Sequence, residues 1–133
     1  MSDLEIVKSY YQAFNDGNWE RMLTFVADDI RHEPNQGDVR IGKELFSSFL
    51  KHMDTCYEEN LRDMVFFTGD QHGRFSVEFV VHGVYKKGET GLPEANGQAY
   101  VLPAAAFLEV KNGKIQRLTT YYNLEWWVKM VSL

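Results

Sequence analysis

The carboxylate of Glu33, which stands directly before Pro34, is the side chain best suited to acid–base chemistry. A carboxylate held in a largely apolar cavity loses hydration, so its pKa rises and it becomes a better base near neutral pH. The alternative is a solvated loop residue beside a proline, since glutamates are mostly exposed in folded proteins. The residues alone favour the solvated position, so catalysis by Glu33 requires that the fold enclose it.

The four histidines do not form a metal-binding pattern. His32 and Glu33 are adjacent and would point to opposite faces of a strand, so they are not expected to act on one substrate together. A second histidine four residues after His32, as in a helical zinc motif, is absent. His52, His72 and His82 are not at ligand spacing from one another, so we predict no metal site.

Several other polar side chains could direct hydrogen bonds to a ligand, as a few groups do in most apolar pockets. Tyr10 shares an apolar helical stripe with Phe14, so both are expected to line such a pocket. The remaining candidates are Asn35, Gln36, Tyr100, Tyr122 and Asn123.

Composition narrows the class of protein. A net charge of −5, with Lys86-Lys87 as the only adjacent basic pair, argues against nucleic acid as a partner. No signal peptide is evident, and no apolar stretch approaches the roughly 20 residues of a membrane helix. Cys56 is the only cysteine, so no intrachain disulfide can form, and without a basic neighbour it is predicted to be unreactive. We therefore expect a cytoplasmic protein without a membrane partner.

Three amphipathic helices are predicted in the first part of the chain. Ser2 and Glu5 form a capping box, and Gly17 can end the first helix in the left-handed conformation. Asn18 caps a short second helix, and Gly42 precedes a third. The apolar stripes contain Val7, Tyr10, Tyr11 and Phe14, then Trp19, Met22, Leu23 and Val26, and finally Phe46, Phe49, Leu50 and Met53.

The rest of the chain is predicted to be rich in strands, with a long loop over 87–97. Asn112-Gly113 is a strong hairpin signal, and Pro103 indicates a bulge or a sheet edge within its strand. Strands are predicted at 28–34, 57–69, 74–85, 98–110 and 114–123, and a final short helix at 125–131.

The strand at 74–85 alternates clearly, with Glu78 and His82 on the face opposite its apolar residues. The pair could act as an acid and a base in a pocket, but an outer, polar or interface face of the sheet is favoured. Helices followed by long strands joined by hairpins predict an α+β fold, with the helices against one face of an antiparallel sheet. We expect a single domain over 1–133.

Several segments resemble the SnoaL-like and ketosteroid-isomerase-like branch of the NTF2-like superfamily. They are Tyr10 to Trp19, Ala27 to Ile30 followed by His32 to Pro34, Lys111 to Ile115, and Tyr121 to Asn123. The resemblance covers nearly the whole chain, although each motif is short. It implies a cone in which three N-terminal helices pack inside a strongly curved, mainly antiparallel sheet around one pocket.

The resemblance also implies roles for particular residues. Glu33 matches the proton-shuttling base of ketosteroid isomerases, and Tyr10 matches the tyrosine that donates to the substrate oxyanion. Tyr122 takes the place of a pocket aromatic. The second acid of the isomerases is missing from Ala104 to Phe107, and Asn123 stands where many SnoaL-like cyclases carry an aspartate.

The resulting hypothesis is a cofactor-independent enzyme of ketosteroid isomerase or polyketide cyclase type, with an isomerase, cyclase or hydratase reaction. Glu33 would move a proton, and Tyr10 and Asn123 would stabilise an oxygen. Phe14, Asn35, Tyr100 and Tyr122 would hold an apolar or partly polar small molecule. The alternative is a non-catalytic module that binds a ligand or a protein. In either case the resemblance implies a homodimer through the outer face of the sheet.

Overall fold

The computed structural model describes residues 1–132, and its elements follow the predicted order. They are α1 (Asp3–Asn15), α2 (Trp19–Thr24), β1 (Val26–Glu33), β2 (Arg40–Ile41), α3 (Lys43–Cys56), β3 (Tyr57–Thr68), β4 (Arg74–Tyr85), β5 (Gln98–Lys111), β6 (Lys114–Tyr122) and α4 (Leu124–Val131). None of the helices described is long and apolar enough to cross a membrane.

Side-chain caps fix where the first helices begin. The Ser2 hydroxyl accepts a hydrogen bond from the Glu5 amide at the start of α1, and the Asn18 side chain accepts one from the Arg21 amide at the start of α2. The prediction that Val26 belongs to the second helix is wrong. It is the first residue of β1 and is fully buried, and a single apolar residue after a six-residue helix cannot distinguish a helical face from a strand.

The six strands form one curved sheet in the order β2-β1-β6-β5-β4-β3. All neighbouring pairs are antiparallel except β1 and β6, so the sheet is mainly antiparallel as expected. The register of β3 against β4 shifts between Arg62 and Val65, and that of β5 against β6 shifts between Glu109 and Val110. Such irregularities bend and twist strands, which allows the sheet to curve around the helices.

Alternation along β4 separates an inner from an outer face. Phe75, Val77, Phe79, Val81 and Tyr85 are buried in the core. Glu78 and His82 alternate with them and lie on the outer face, as the sequence favoured. The inner face and the helices together enclose the interior of the cone.

Pro103 lies at a local edge of the sheet, one of the two positions predicted for it. It pairs with Val80 of β4 on one side. On the other side β6 reaches only as far as the pair of Ala104 with Tyr122. A proline is tolerated there because no neighbouring strand needs its missing N–H. The hairpin signal is also confirmed, since Asn112 and Gly113 both have positive φ between β5 and β6.

Candidate functional site

A cavity of about 420 Å³ lies between the inner face of the sheet and helices α1, α3 and α4. Its wall is mostly apolar and is rich in aromatic rings, among them Phe14, Phe46, Phe49, Phe79 and Trp127. Five of the residues predicted to contact a ligand line it, namely Tyr10, Phe14, Gln36, Tyr100 and Tyr122. A cavity of this size and character suits a small organic molecule.

Glu33 does not lie on the cavity wall, so the condition that catalysis by Glu33 required is not met for this cavity. Its carboxylate accepts a hydrogen bond from the Thr119 hydroxyl at 3.1 Å and lies 3.4 Å from Nε of Arg31 and 3.9 Å from Nη1 of Arg117. The side chain is 24% exposed. Because neighbours on a strand face opposite sides, it is the adjacent His32 that lines the cavity.

Asn123 and Asn35 also lie away from the cavity wall. The Asn123 side chain accepts a hydrogen bond from the Trp126 amide at 2.9 Å and so caps the start of α4. Asn35 is exposed in the loop after β1 and has a positive φ of 60°. Gln36, the next residue, does reach the cavity wall, and its amide donates to the Tyr122 carbonyl at 2.9 Å.

A carboxylate that the sequence analysis missed lies inside the cavity. Glu59 of β3 lines the wall, and the Tyr100 hydroxyl from β5 donates a hydrogen bond to its Oε2 at 2.5 Å. Burial raises the pKa of the Glu59 carboxyl, while the hydrogen bond from Tyr100 opposes that rise. Glu59 falls in phase with the buried Tyr57 and Leu61. An acid in phase with two apolar residues was the signal that could have identified it.

The tyrosines of the cavity are held in their protonated form. Burial raises the pKa of Tyr10, and it also raises the pKa of Tyr100 and Tyr122, where the charge of Glu59 adds to the effect. In the described part of the chain, no protein group hydrogen bonds to the Tyr10 hydroxyl. A protonated phenol on the wall is a hydrogen-bond donor available to a ligand.

His32 is almost fully buried, with 3% of its surface exposed. Its ring packs against Phe46 and Phe49, at centroid distances of 5.0 and 4.5 Å. Burial and, to a smaller extent, the charge of Arg40 lower the pKa of His32 to about 4, although the charge of Glu33 acts in the opposite direction. The imidazole is therefore neutral at neutral pH.

We expect His32 to make the protein less stable in acid. Between its ordinary pKa of 6.5 and its folded pKa of about 4, the unfolded chain binds a proton that the folded chain does not. Stability is therefore lost as the pH falls through this window, by up to about 3 kcal/mol. The variant His32→Phe should avoid this loss, as urea unfolding at several pH values would measure.

The exposed His72 provides the matched control, since its side chain is 98% exposed. His72→Asn should follow the wild-type dependence on pH. Effects that a variant shares with the wild type, such as titration of Glu59, cancel when their free energies of unfolding are subtracted. Equal pH slopes for His32→Phe and wild type would contradict the prediction.

A second polar cluster lies where α3 ends. It contains His52 and Cys56, which are four residues apart on the helix, and Glu89 from the loop between β4 and β5. Each residue places one ligand atom within 4.8 Å of the others. This set of nitrogen, sulfur and oxygen could hold an ion such as Zn²⁺. Only the spacing between histidines was compared in the sequence, and the pair of His52 and Cys56 was therefore overlooked. Glu89 also contacts His52 Nε2 and accepts a hydrogen bond from Tyr57. These bonds account for the arrangement without an ion.

Comparison with known proteins agrees with the fold. A "putative polyketide cyclase" of Xanthomonas campestris pv. campestris is 49% identical over 97% of this chain and 96% of its own, with a TM-score of 0.92. A protein of the same description from Pseudomonas putida is 45% identical over 98% of both chains, with a TM-score of 0.95. No functionally curated protein matches the chain.

More distant structures share the fold alone. An NTF2-like protein of unknown function from Burkholderia pseudomallei is 16% identical over the full length of both chains, with a TM-score of 0.76. The sequence pattern of the SnoaL-like domain matches residues 7–118. The chain therefore belongs to the SnoaL-like domain family and has the NTF2-like fold.

Proposed function

We propose that this protein is a cofactor-independent enzyme that moves a proton next to a carbonyl group of a small molecule, as a polyketide cyclase or ketosteroid isomerase does. One observation carries the proposal: the carboxylate of Glu59 lies in an apolar cavity and is hydrogen bonded by Tyr100. The two relatives described as a "putative polyketide cyclase", at 49% and 45% identity, support the same class of reaction.

In this proposal Glu59 is the base, in the role that the resemblance gave to Glu33. Burial raises the pKa of Glu59 toward the range in which a carboxylate both accepts and returns a proton efficiently. The hydrogen bond from Tyr100 fixes the orientation of the carboxylate. Both features favour transfer of a proton from a carbon atom and back to a neighbouring position.

Tyr10 is the donor that we propose for the oxygen of the enolate. Its hydroxyl is on the cavity wall, and its raised pKa keeps the proton in place. A fixed donor in an apolar site stabilises the negative charge that develops on a carbonyl oxygen when the adjacent proton leaves. Phe14 and Tyr122 would hold the rings of the substrate.

The second candidate function is binding without catalysis. It is favoured by the absence of an acid from Ala104 to Phe107 and by the capping bond that occupies Asn123. The cavity would then serve to hold a ligand, and Glu59 and Tyr100 would orient it.

Exchange of α-protons separates the two functions. The protein is incubated with 2-tetralone in D₂O, and NMR follows the loss of the proton signals next to the carbonyl. An enzyme of the proposed type should exchange these protons at least about 100-fold faster than acetate at the same concentration does. Binding of the unreactive analogue 2-naphthol without any acceleration of exchange would favour the binding module.

We also propose that the protein is a homodimer through the outer face of its sheet. Val65, Phe67, Val101, Phe107 and Tyr121 are each between 44% and 50% exposed on three strands. The rings of Phe107 and Tyr121 lie edge to face at 5.6 Å. Several large exposed apolar residues on one sheet face are typical of protein interfaces.

The variant Phe107→Glu should convert a dimer into a monomer, because it would bury an unpaired charge in the interface. Light scattering coupled to size-exclusion chromatography measures the mass. Leu45→Glu, at a residue of α3 that is 53% exposed, is the matched control and should leave the mass unchanged. A monomeric wild type, or a dimeric Phe107→Glu protein, would contradict this interface.

A further inference from the structure

Arg40 is a cation on the cavity wall that has no acidic partner among residues 1–132. Its guanidinium lies over the ring of Phe49, 4.8 Å from the centroid, and its Nη1 is buried without a hydrogen bond. In the described residues, Arg31, Arg74 and Arg117 each lie within 4 Å of a carboxylate. Arg21, Arg40 and Arg62 do not, and of these three only Arg40 lines the cavity. Buried donors without a hydrogen bond are rare in folded proteins, so a bound ligand is one explanation for this one.

His32 supplies a second unpaired group beside it. Its Nδ1 is buried without a hydrogen bond, and its ring also packs against Phe49. The neutral imidazole can present an N–H to the cavity, next to the charge of Arg40. Two polar groups on one patch of a mostly apolar wall thus lack partners in the part of the chain that the structure describes.

The acids of the cavity wall are placed differently. Glu59 receives a hydrogen bond from Tyr100, and Glu89 receives one from Tyr57. Neither carboxylate forms an ion pair with Arg40. The acids of the wall therefore have partners within the protein, Tyr100 for Glu59 and Tyr57 and His52 for Glu89, and the guanidinium of Arg40 is left available to a group that enters the cavity.

We propose that Arg40 and His32 together bind a carboxylate on the ligand, so that the substrate class is aromatic or polycyclic carboxylic acids that also carry a ketone. The guanidinium would pair with the carboxylate oxygens, and the imidazole N–H would donate to one of them. Phe49 holds both groups in place. This inference rests on the proposed function in that the ligand occupies the same cavity, with its ketone directed to Glu59.

Calorimetry with 2-naphthoate and its neutral amide, 2-naphthamide, tests the proposal. The wild type should bind the carboxylate about 10- to 100-fold more tightly than the amide. Arg40→Met should bring this ratio close to one, and His32→Phe should reduce it by about three- to tenfold. Arg62→Met is the control, on an exposed arginine that bonds Asn60 and does not line the cavity, and it should keep the wild-type ratio.

Arg40→Lys covers the case in which the methionine variant fails to fold, because it keeps the charge and loses the paired donors. Arg40→Lys should retain only part of the preference for 2-naphthoate over 2-naphthamide. A wild-type ratio near one, no binding of 2-naphthoate, or an unchanged ratio in the folded Arg40 variants would overturn the proposal. Exchange of 2-tetralone, which has no acidic group, reports on the proposed reaction separately, so the two can fail independently.

Discussion

Glu59→Gln is expected to lower the rate of 2-tetralone α-proton exchange by about 10²- to 10⁴-fold. The amide has nearly the shape of the carboxylate and can still accept the hydrogen bond from Tyr100, but it cannot take up a proton. The loss is therefore chemical and not a consequence of unfolding. NMR in D₂O gives the rates, and circular dichroism verifies the fold of the variant.

The matched control is Glu33→Gln, which changes a carboxylate outside the cavity. Its exchange rate should equal that of the wild type. The wild-type rate should also rise with pH around a midpoint above the ordinary value for glutamate, because burial raises the pKa of Glu59. Loss of exchange in Glu33→Gln together with full activity in Glu59→Gln would reverse the assignment of the base.

The fold was predictable because its signals are local. Apolar stripes at helical spacing, the Asn112-Gly113 turn and the alternation over 74–85 each depend on residues close in sequence. The resemblance added the order of the segments and hence the cone. Local patterns could not predict the parallel pairing of β1 with β6, because it joins residues more than 80 positions apart.

The site was predictable only in part, because strand phase and register decide it. A shift of one residue along β1 exchanges Glu33 for His32 on the inner face. Tyr100 and Glu59 are 41 positions apart and meet only because β4 lies between their strands. Arg40 belongs to a strand of two residues, too short to show any periodicity. The residues on α1 were placed correctly, since a helix fixes its own face.

Gly83 connects the sheet register to the proposed chemistry. It pairs with Tyr100 directly across β4 and β5, and a Cβ at this position would lie 2.5 Å from the Tyr100 hydroxyl oxygen. An ordinary contact requires about 3.4 Å or more, so the tyrosine can keep its bond to Glu59 only opposite a residue without a side chain. The glycine is therefore part of what positions the carboxylate.

Gly83→Ala should consequently destabilise the protein by about 1–3 kcal/mol through overpacking. It should also lower the exchange rate by about tenfold or more, because the displaced Tyr100 no longer orients Glu59. Urea unfolding and 2-tetralone exchange measure the two effects. In a Tyr100→Val background the added methyl group meets no aromatic ring. Gly83→Ala should therefore lower the free energy of unfolding little in that background. An equal loss of stability in both backgrounds would contradict the proposed clash with Tyr100. A loss confined to the tyrosine background would show that the glycine acts through Tyr100.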